Sequence, residues 1–521
     1  MEINKQSQEK EIEATAVGSI LKLLELGTNN VLWLFCDQFK ETYAAIYGDG
    51  SEIMPLDSQN FQQWLFNYIY EQTGKSIADN NLRAVTKILK HNASPLTYSL
   101  SVRIARKDEA IFYDLGSNQI VLTNLNGWRL ISTQTQILFR RFNHQKKQDL
   151  PIAGGYIDDL LKLINLAEKK DEILLKVYLV AAFIPDFPHP VLVVQGPQGS
   201  AKSTLCRLIK DLIDPSNLES TSFGDKNIKE FVQTASHHWL LVLDNLSSIS
   251  NEFSDVISRV CTGGGLSKRM LYRNDDDFIY NFKHLIALNG ITQVVYKPDL
   301  LDRSLIIQLE RITEEARMTE DQLWKNYRNL KSGILGAIFD TVSGALREYS
   351  SVEIRQLPRM ADFVKWGCAI AKALGYTQDE FLAAYAENTE IQTEAAVDAN
   401  PIATAVVEFM RERIEDYYTD TPANFYKALS RIAQNLSLQD SPGWPKAANA
   451  LTKKIPEFQP VLQSLGLKII ASRSKIRSIS IFRFKKDDSS DDVPVQPSPP
   501  FQASLAGIGD SSDVNVDDIP F

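Results

Sequence analysis

Hydrophobic and polar positions change their spacing several times along the 521 residues, and each change predicts a different kind of element. Residues 1–95 combine a hairpin pattern between Glu41 and Leu56 with helical spacing at 58–71 and 79–91. From about 97 to 142 the pattern alternates. Ser99–Ala105, Ala110–Gly116, Gln119–Asn124 and Gly127–Ile131 predict short strands separated by turn residues. A Pro/Gly break at Pro151–Gly155 precedes a helical stretch over about 156–184. Between 190 and 312 strand-like runs and helical periods take turns, which predicts a parallel sheet with crossover helices. Residues 315–395 read as helices throughout, in the position of a lid. Residues 402–485 read as helices followed by two strands, 467–473 and 477–484, an order that suits a winged helix. The expected class is α/β, divided into an N-terminal α+β region (1–150), a helical linker or collar (151–185), a parallel-sheet core (186–312), a helical lid (313–398), a winged helix (399–486) and a tail (487–521).

Composition adds limits to this picture. The length implies about three to four units, and 44% apolar residues are enough to fill their cores. The four cysteines (Cys36, Cys206, Cys261, Cys368) are far apart and form no CxxC, which fits reduced thiols and excludes a disulfide frame or a zinc site. No apolar run approaches the roughly 20 residues of a membrane span, and the polar N-terminus is no signal peptide, so a soluble, cytoplasmic protein with no membrane partner is expected. The net charge of −9 is unevenly placed. Residues 487–521 hold eight aspartates and no Lys or Arg, whereas residues 446–486 hold ten Lys/Arg and one acid, Glu457. A basic module is followed by an acidic tail, and the Pro/Ser/Asp composition of that tail cannot bury a core, so disorder is expected there.

The strongest chemical signal follows the apolar run Val191–Val194. A Gly-rich turn, Gly196, Pro197, Gln198, Gly199, Ser200, Ala201, Lys202, Ser203, Thr204, leads into a helical stretch. Main-chain N–H groups of such a turn can surround the phosphates of ATP, with Lys202 reaching the β/γ-phosphates and the Ser203 hydroxyl on Mg²⁺. Ala201 stands where a glycine usually precedes the lysine, which restricts the backbone there. Some 40 residues on, a second apolar run ends in Asp244, placed to hold the Mg²⁺ water shell. Its neighbour Asn245 is neutral where a second acid is usual, which leaves Glu252 and Asp255 as alternative bases. A third run ends in Asn289, an amide suited to orienting an attacking water.

These motifs, in this order, resemble the AAA+ superfamily-three helicase domain of phage and plasmid primase-helicases, over about residues 30–485. The resemblance implies a hairpin carrying DNA-contacting Lys268 and Arg269 ahead of Asn289 and an arginine finger at Arg303. It also implies a second sensor at Arg359 and a hexameric ring acting on single-stranded or forked DNA. It extends upstream through Tyr113–Gly116, Gly127-Trp128 and Phe139–Arg141. A surface ion pair of Arg303 with Asp299 or Asp302, and a solvated turn at Lys268 and Arg269, stay open as alternatives. The first 185 residues contain no paired acidic metal motif and no zinc ligands, so primase activity is not expected.

Lys453, Lys454, Arg473, Lys475 and Arg477 are placed to neutralise DNA phosphates without reading bases; a merely solvated basic surface is the alternative. The last residues, Asp517, Asp518, Ile519, Pro520 and Phe521, resemble the acidic tip of bacterial single-stranded-DNA-binding protein. That resemblance implies recruitment of host proteins that dock on such tips, against a solubilising tail. Three functions are thus expected in competition: a ring-forming ATP-driven DNA translocase of a mobile element, an ATP-dependent initiator or loader, and a degenerate ATPase serving as a scaffold.

Overall fold

In the computed structural model the described residues are 17–20, 33–38, 40–46, 52–93, 97–132, 137–223, 227–246, 249–264, 283–290, 295, 297–459, 461–472 and 477–484, with backbone alone for Leu32, 266–269, 277–280 and Pro460. The N-terminal hairpin pattern becomes an antiparallel meander of β1 (Leu32–Cys36), β2 (Thr42–Ile46) and β3 (Glu52–Pro55). Helices Gln59–Thr73 and Asp79–Asn92 share its core. Ser58 starts the first helix by accepting from the Phe61 amide, and Gly74, at φ 66°, ends it. A short parallel pair, β4 (Leu100–Ser101) with β9 (Leu138–Phe139), flanks a second meander of β5 (Ile104–Lys107), β6 (Ala110–Asp114), β7 (Gln119–Asn124) and β8 (Gly127–Ser132).

The central sheet is parallel: β10 (Val191–Gln195), β11 (Leu240–Leu246), β14 (Leu285–Gly290) and β15 (Ser304–Gln308) stand in the order β11-β14-β10-β15. Thr221 bridges to Leu243 beside the β11 edge. Residues 191–194, 240–243, 285–290 and 304–307 are buried throughout, because a sheet covered on both faces selects continuous apolar runs over alternation. Between β11 and β14 lie the helix Asn251–Thr262 and an antiparallel hairpin of β12 (Leu266–Arg269) and β13 (Asp277–Tyr280). One hydrophobic core joins Ile104–Val121, the helix Lys169–Ala181, one face of the sheet, and helices Glu320–Glu348 and Ala361–Ala373 with the start of Gln378–Asp398. It runs across the boundaries expected at 150, 185 and 312. The stretch read as a collar is a central helix, buried on every side from Ile173 to Ala181.

The C-terminal module has a core of its own. Its order is helix Pro401–Arg411, β16 (Tyr417–Asp420), helix Pro422–Asn435, helix Ala448–Ser464, β17 (Leu467–Ser472) and β18 (Ser478–Arg483), with the strands paired β16-β18-β17. β16 gave no signal in the sequence, being four residues on a sheet edge with none of them buried. Among the described residues no helix is long and apolar enough to cross a membrane.

A buried polar network welds the second meander to the core. Arg103 donates from Nε to Asp214 Oδ1 (3.1 Å) and from its other nitrogens to the carbonyls of Asp114, Lys146 and Pro215. Lys210 Nζ donates to Asp214 Oδ2 (2.7 Å), His238 Nδ1 (3.0 Å) and the Leu240 carbonyl (2.6 Å). Arg103, Lys210, Asp214 and His238 are all at most 1% exposed. Burial works to raise the Asp214 carboxyl, but Lys210, His238 and Arg103 hold it well below the usual carboxylate range. Its stabilising effect is therefore complete above the unfolded value of about 4 and is lost only as pH falls through the lower folded value. Asp214→Asn strands two buried cations and is expected to lower stability by about 3–5 kcal/mol in urea unfolding at neutral pH. The deficit should shrink in acid; an equal deficit at both pH values contradicts the assignment.

Candidate functional site

Strand β10 ends at Gln195, and the chain turns through residues 196–201 into the helix Lys202–Ile213. Three residues of this turn lie at positive φ: Gly196 (152°), Gly199 (81°) and Ala201 (62°). Gly196 has no room for a side chain, since a Cβ there meets the Leu309 carbonyl at 2.5 Å and Ser200 Oγ at 2.7 Å. Gly199 is in open space and needs only its backbone freedom. Ala201 carries a methyl in the left-handed region, at a cost of about 1–2 kcal/mol. Ala201→Gly removes that strain but adds chain entropy to the unfolded state, so a net stabilisation of up to about 1 kcal/mol is expected in thermal unfolding. A destabilised variant contradicts the left-handed assignment.

The turn presents the N-terminal amides of the helix, which have no partner within it, to one side of the sheet. Pro197, Gln198 and Gly199 are exposed, Ser200 is buried and Thr204 half-buried. Lys202 Nζ donates to the carbonyls of Gly196 (2.7 Å) and Pro197 (2.9 Å), so the ammonium lies over its own loop. Ser203 Oγ donates to Asp244 Oδ1 at 2.9 Å, which brings the second apolar run's carboxylate beside the first helical turn. Asn289, 2% exposed, joins both: its Oδ1 accepts from the Asn245 amide (2.9 Å) and its Nδ2 lies 3.5 Å from Ser203 Oγ. The adjacent Cys206 thiol, which the sequence did not single out, is 3.6 Å from Asn289 Nδ2. Burial pushes that thiol up to about 12, so it stays protonated. Two hard oxygens side by side, from a hydroxyl and a carboxylate, are the donor set that suits Mg²⁺. The Asn245 side chain is exposed, and the residue sits at φ 57°. Of the alternative bases, Asp255 is ion-paired with Lys297 and Glu252 is exposed in the first turn of the next helix.

Arg303 and Arg359 are brought together, but not here. Arg303 pairs with Asp299, and Arg359 pairs with Asp299 and with Asp302 Oδ2 (2.6 Å). The cluster sits just before β15, and the Arg303 carbonyl accepts from Val191, the first residue of β10. The Gly-rich turn follows the last residue of β10. Four steps along a strand separate the two ends by roughly 13 Å. Lys268 and Arg269 close β12, paired with Phe278 and Asp277. In the C-terminal module Lys453 is exposed, Lys454 Nζ donates to the Gly443 carbonyl (2.8 Å), and Arg477 is exposed. Arg473, Lys475 and the residues 517–521 lie outside the described residues.

The upstream residues singled out in the sequence serve as joints. Arg141 grips Asp114 with both nitrogens (2.8 and 2.6 Å), Tyr113 OH donates to the Ile213 carbonyl (3.0 Å), and Trp128 Nε1 donates to Asp340 Oδ1 (3.0 Å). The Arg103–Asp214 network gave no sequence signal, since its members are spread over more than a hundred residues.

Residues 157–390 match the family described as the actinomycete integrative conjugative element replication protein, and residues 402–494 match the AICE RepA C-terminal domain. No curated protein matches the chain. Among solved structures, the A-form apo structure of the NrS-1 C-terminal region is similar at 12% identity, over 89% of this chain and 98% of that one, with a TM-score of 0.40. A JCV helicase structure is similar at 12% identity, over 43% of this chain and 65% of that one, with a TM-score of 0.24.

Proposed function

Starting from the match of both modules to the replication-protein family of actinomycete integrative conjugative elements, we propose that this chain is an ATP-dependent, ring-forming DNA helicase or translocase that replicates a mobile element. The observation that carries the reading is the Ser203–Asp244 contact of 2.9 Å at the start of the helix behind the Gly-rich turn. The amides of residues 196–204 hold the phosphates of ATP, and Lys202 leaves its loop carbonyls to meet the terminal ones. Ser203 and Asp244 hold Mg²⁺, which when bound neutralises charge between the phosphates. Asn289, fixed by the Asn245 amide, orients the attacking water. The sheet order and the lid-like helices 320–398 support an AAA+ core, an Arg303 that serves the next copy requires an oligomer, and the family resemblance makes that oligomer a hexamer.

The order helix, strand, two helices, hairpin supports a winged helix over 399–486. Lys453, Lys454, Arg473, Lys475 and Arg477 then hold DNA phosphates, Lys268 and Arg269 track one strand, and residues 517–521 recruit host proteins. The test is ATP turnover with and without single-stranded DNA, together with the mass of the assembly in nucleotide. Turnover that ignores DNA, in a chain that stays monomeric, defeats the proposal. A second reading, a degenerate ATPase that serves as a scaffold and binds DNA without unwinding it, is favoured by Ala201 and by the neutral Asn245 beside Asp244. Strand displacement on a forked substrate separates the two.

A further inference from the structure

The C-terminal module contains a cavity of about 530 Å³ between the end of helix Pro401–Arg411 and helix Pro422–Asn435. Phe409 and Ile432, both nearly buried, form its apolar floor. Arg413, Lys427 and Arg431 surround it, against one acid, Glu412. The Arg413 guanidinium is fixed over the rings of Phe409 (4.4 Å) and Tyr418 (4.5 Å), with Glu415 at 4.0 Å. Lys427 and Arg431 are exposed and make no ion pair among the described residues. Ile414, which follows Arg413 in the chain, is 99% exposed.

A cavity of this size with an apolar floor and a cationic rim calls for a ligand of the opposite make-up: an aromatic side chain flanked by carboxylates. This chain contains such a segment in Asp513-Val-Asn-Val-Asp517-Asp518-Ile519-Pro520-Phe521. The path to it begins at the cavity. Phe482 of β18 pairs with Tyr417 of β16, and Arg483 Nη2 donates to the carbonyl of Met410, the neighbour of Phe409 (2.6 Å). Residues 485–512 then span at most roughly 100 Å, far more than the return requires.

We propose that residues 513–521 dock into this cavity of their own chain, with Phe521 on Phe409 and Ile432 and with Asp517 and Asp518 on Lys427 and Arg431. DNA phosphate shares the charge preference but has no use for the apolar floor. Tethering places the segment at an effective concentration of order millimolar, so an intrinsic Kd of about 0.1 mM keeps it docked roughly nine-tenths of the time. The docked segment is withheld from outside partners and draws basic charge away from DNA. The proposal stands on the C-terminal module alone and does not depend on the nucleotide site.

The test places a benzophenone photo-cross-linker at position 521 of the full chain and maps the products by mass spectrometry. Cross-links into residues 409–432 of the same chain are expected, with a yield that falls about tenfold in Lys427→Glu/Arg431→Glu and at high salt. Hydrogen exchange over 409–432 should also be faster in Phe521→Ala than in the unmodified chain, a readout that needs no label. Both charge reversals are at exposed positions, and an unchanged melting curve checks that the fold survives them. Cross-links elsewhere, or a yield indifferent to the charge reversal, overturn the proposal. Products joining isotopically distinct chains overturn it in favour of a second copy. Equal loss of DNA affinity on charge reversal with or without Phe521→Ala overturns it in favour of a phosphate site.

Discussion

Replacing Lys202 with alanine is expected to lower ATP turnover at least about a hundredfold while leaving the fold unchanged, because a cation aimed at developing phosphate charge is worth several kcal/mol in a preorganised site. Nothing structural leans on the side chain. Among the described residues its ammonium touches only the carbonyls of Gly196 and Pro197, in a half-buried position where water replaces it at little loss. Urea unfolding of Lys202→Ala should therefore stay within about 0.5 kcal/mol of the parent chain. The comparison with Asp214→Asn is informative, since that change strikes the other end of the same helix and should damage stability first. If Lys202→Ala hydrolyses ATP at the parent rate, the turn does not grip a triphosphate and the motor reading falls. If it unfolds the chain, Lys202 has a structural task that its two contacts do not explain.

The central sheet and the side chains gathered at the ends of its strands were legible because both leave contiguous marks. Buried parallel strands must be apolar throughout, so 191–194, 240–243 and 285–288 stand out, and the residues that follow each are the ones the sheet collects at one edge: Lys202 and Ser203, Asp244, and Asn289. The hairpin of β12 and β13 was expected from the family resemblance alone. Long-range joints were not legible. Arg103, Lys210, Asp214 and His238 are charged residues that composition assigns to the surface, and only folding shows that each satisfies the others in the interior. The same blindness hid the role of the helix Lys169–Ala181, whose Lys and Asp residues suggest an exposed linker. In the fold, Lys176 reaches Asp158 and the Tyr376 hydroxyl (2.9 Å) and Asp171 accepts from the Gln308 amide through Oδ1 (3.3 Å), so these two charged groups find partners inside. β16 escaped because an edge strand of four residues need not be apolar.

Arg303→Ala should cost about a thousandfold or more in turnover if the guanidinium stabilises transferred-phosphoryl charge, and the polarity of the sheet decides how that can happen. Within one chain the arginine stands at the start of β10 and β15, whereas the Gly-rich turn is at the end of β10, so it serves only a site on another copy. A mixture then gives a signature that no single variant gives. A Lys202→Ala chain keeps its arginine, and an Arg303→Ala chain keeps its phosphate turn. With random assembly, half of all turns are intact and half of those meet an intact arginine, so roughly a quarter of sites regain activity in a one-to-one mixture of two inactive chains. The ion pairs do not prevent this use. Burial tends to raise Asp299, but Arg303 and Arg359 together hold it below the usual carboxylate value, and Arg359 remains to pair with it when Arg303 swings away. An exposed pair of this kind contributes at most about 1 kcal/mol, a small barrier to release. A mixture as inactive as its parts, from chains that still assemble, assigns Arg303 to the Asp299 cluster alone and removes the ring's catalytic interface from the proposal.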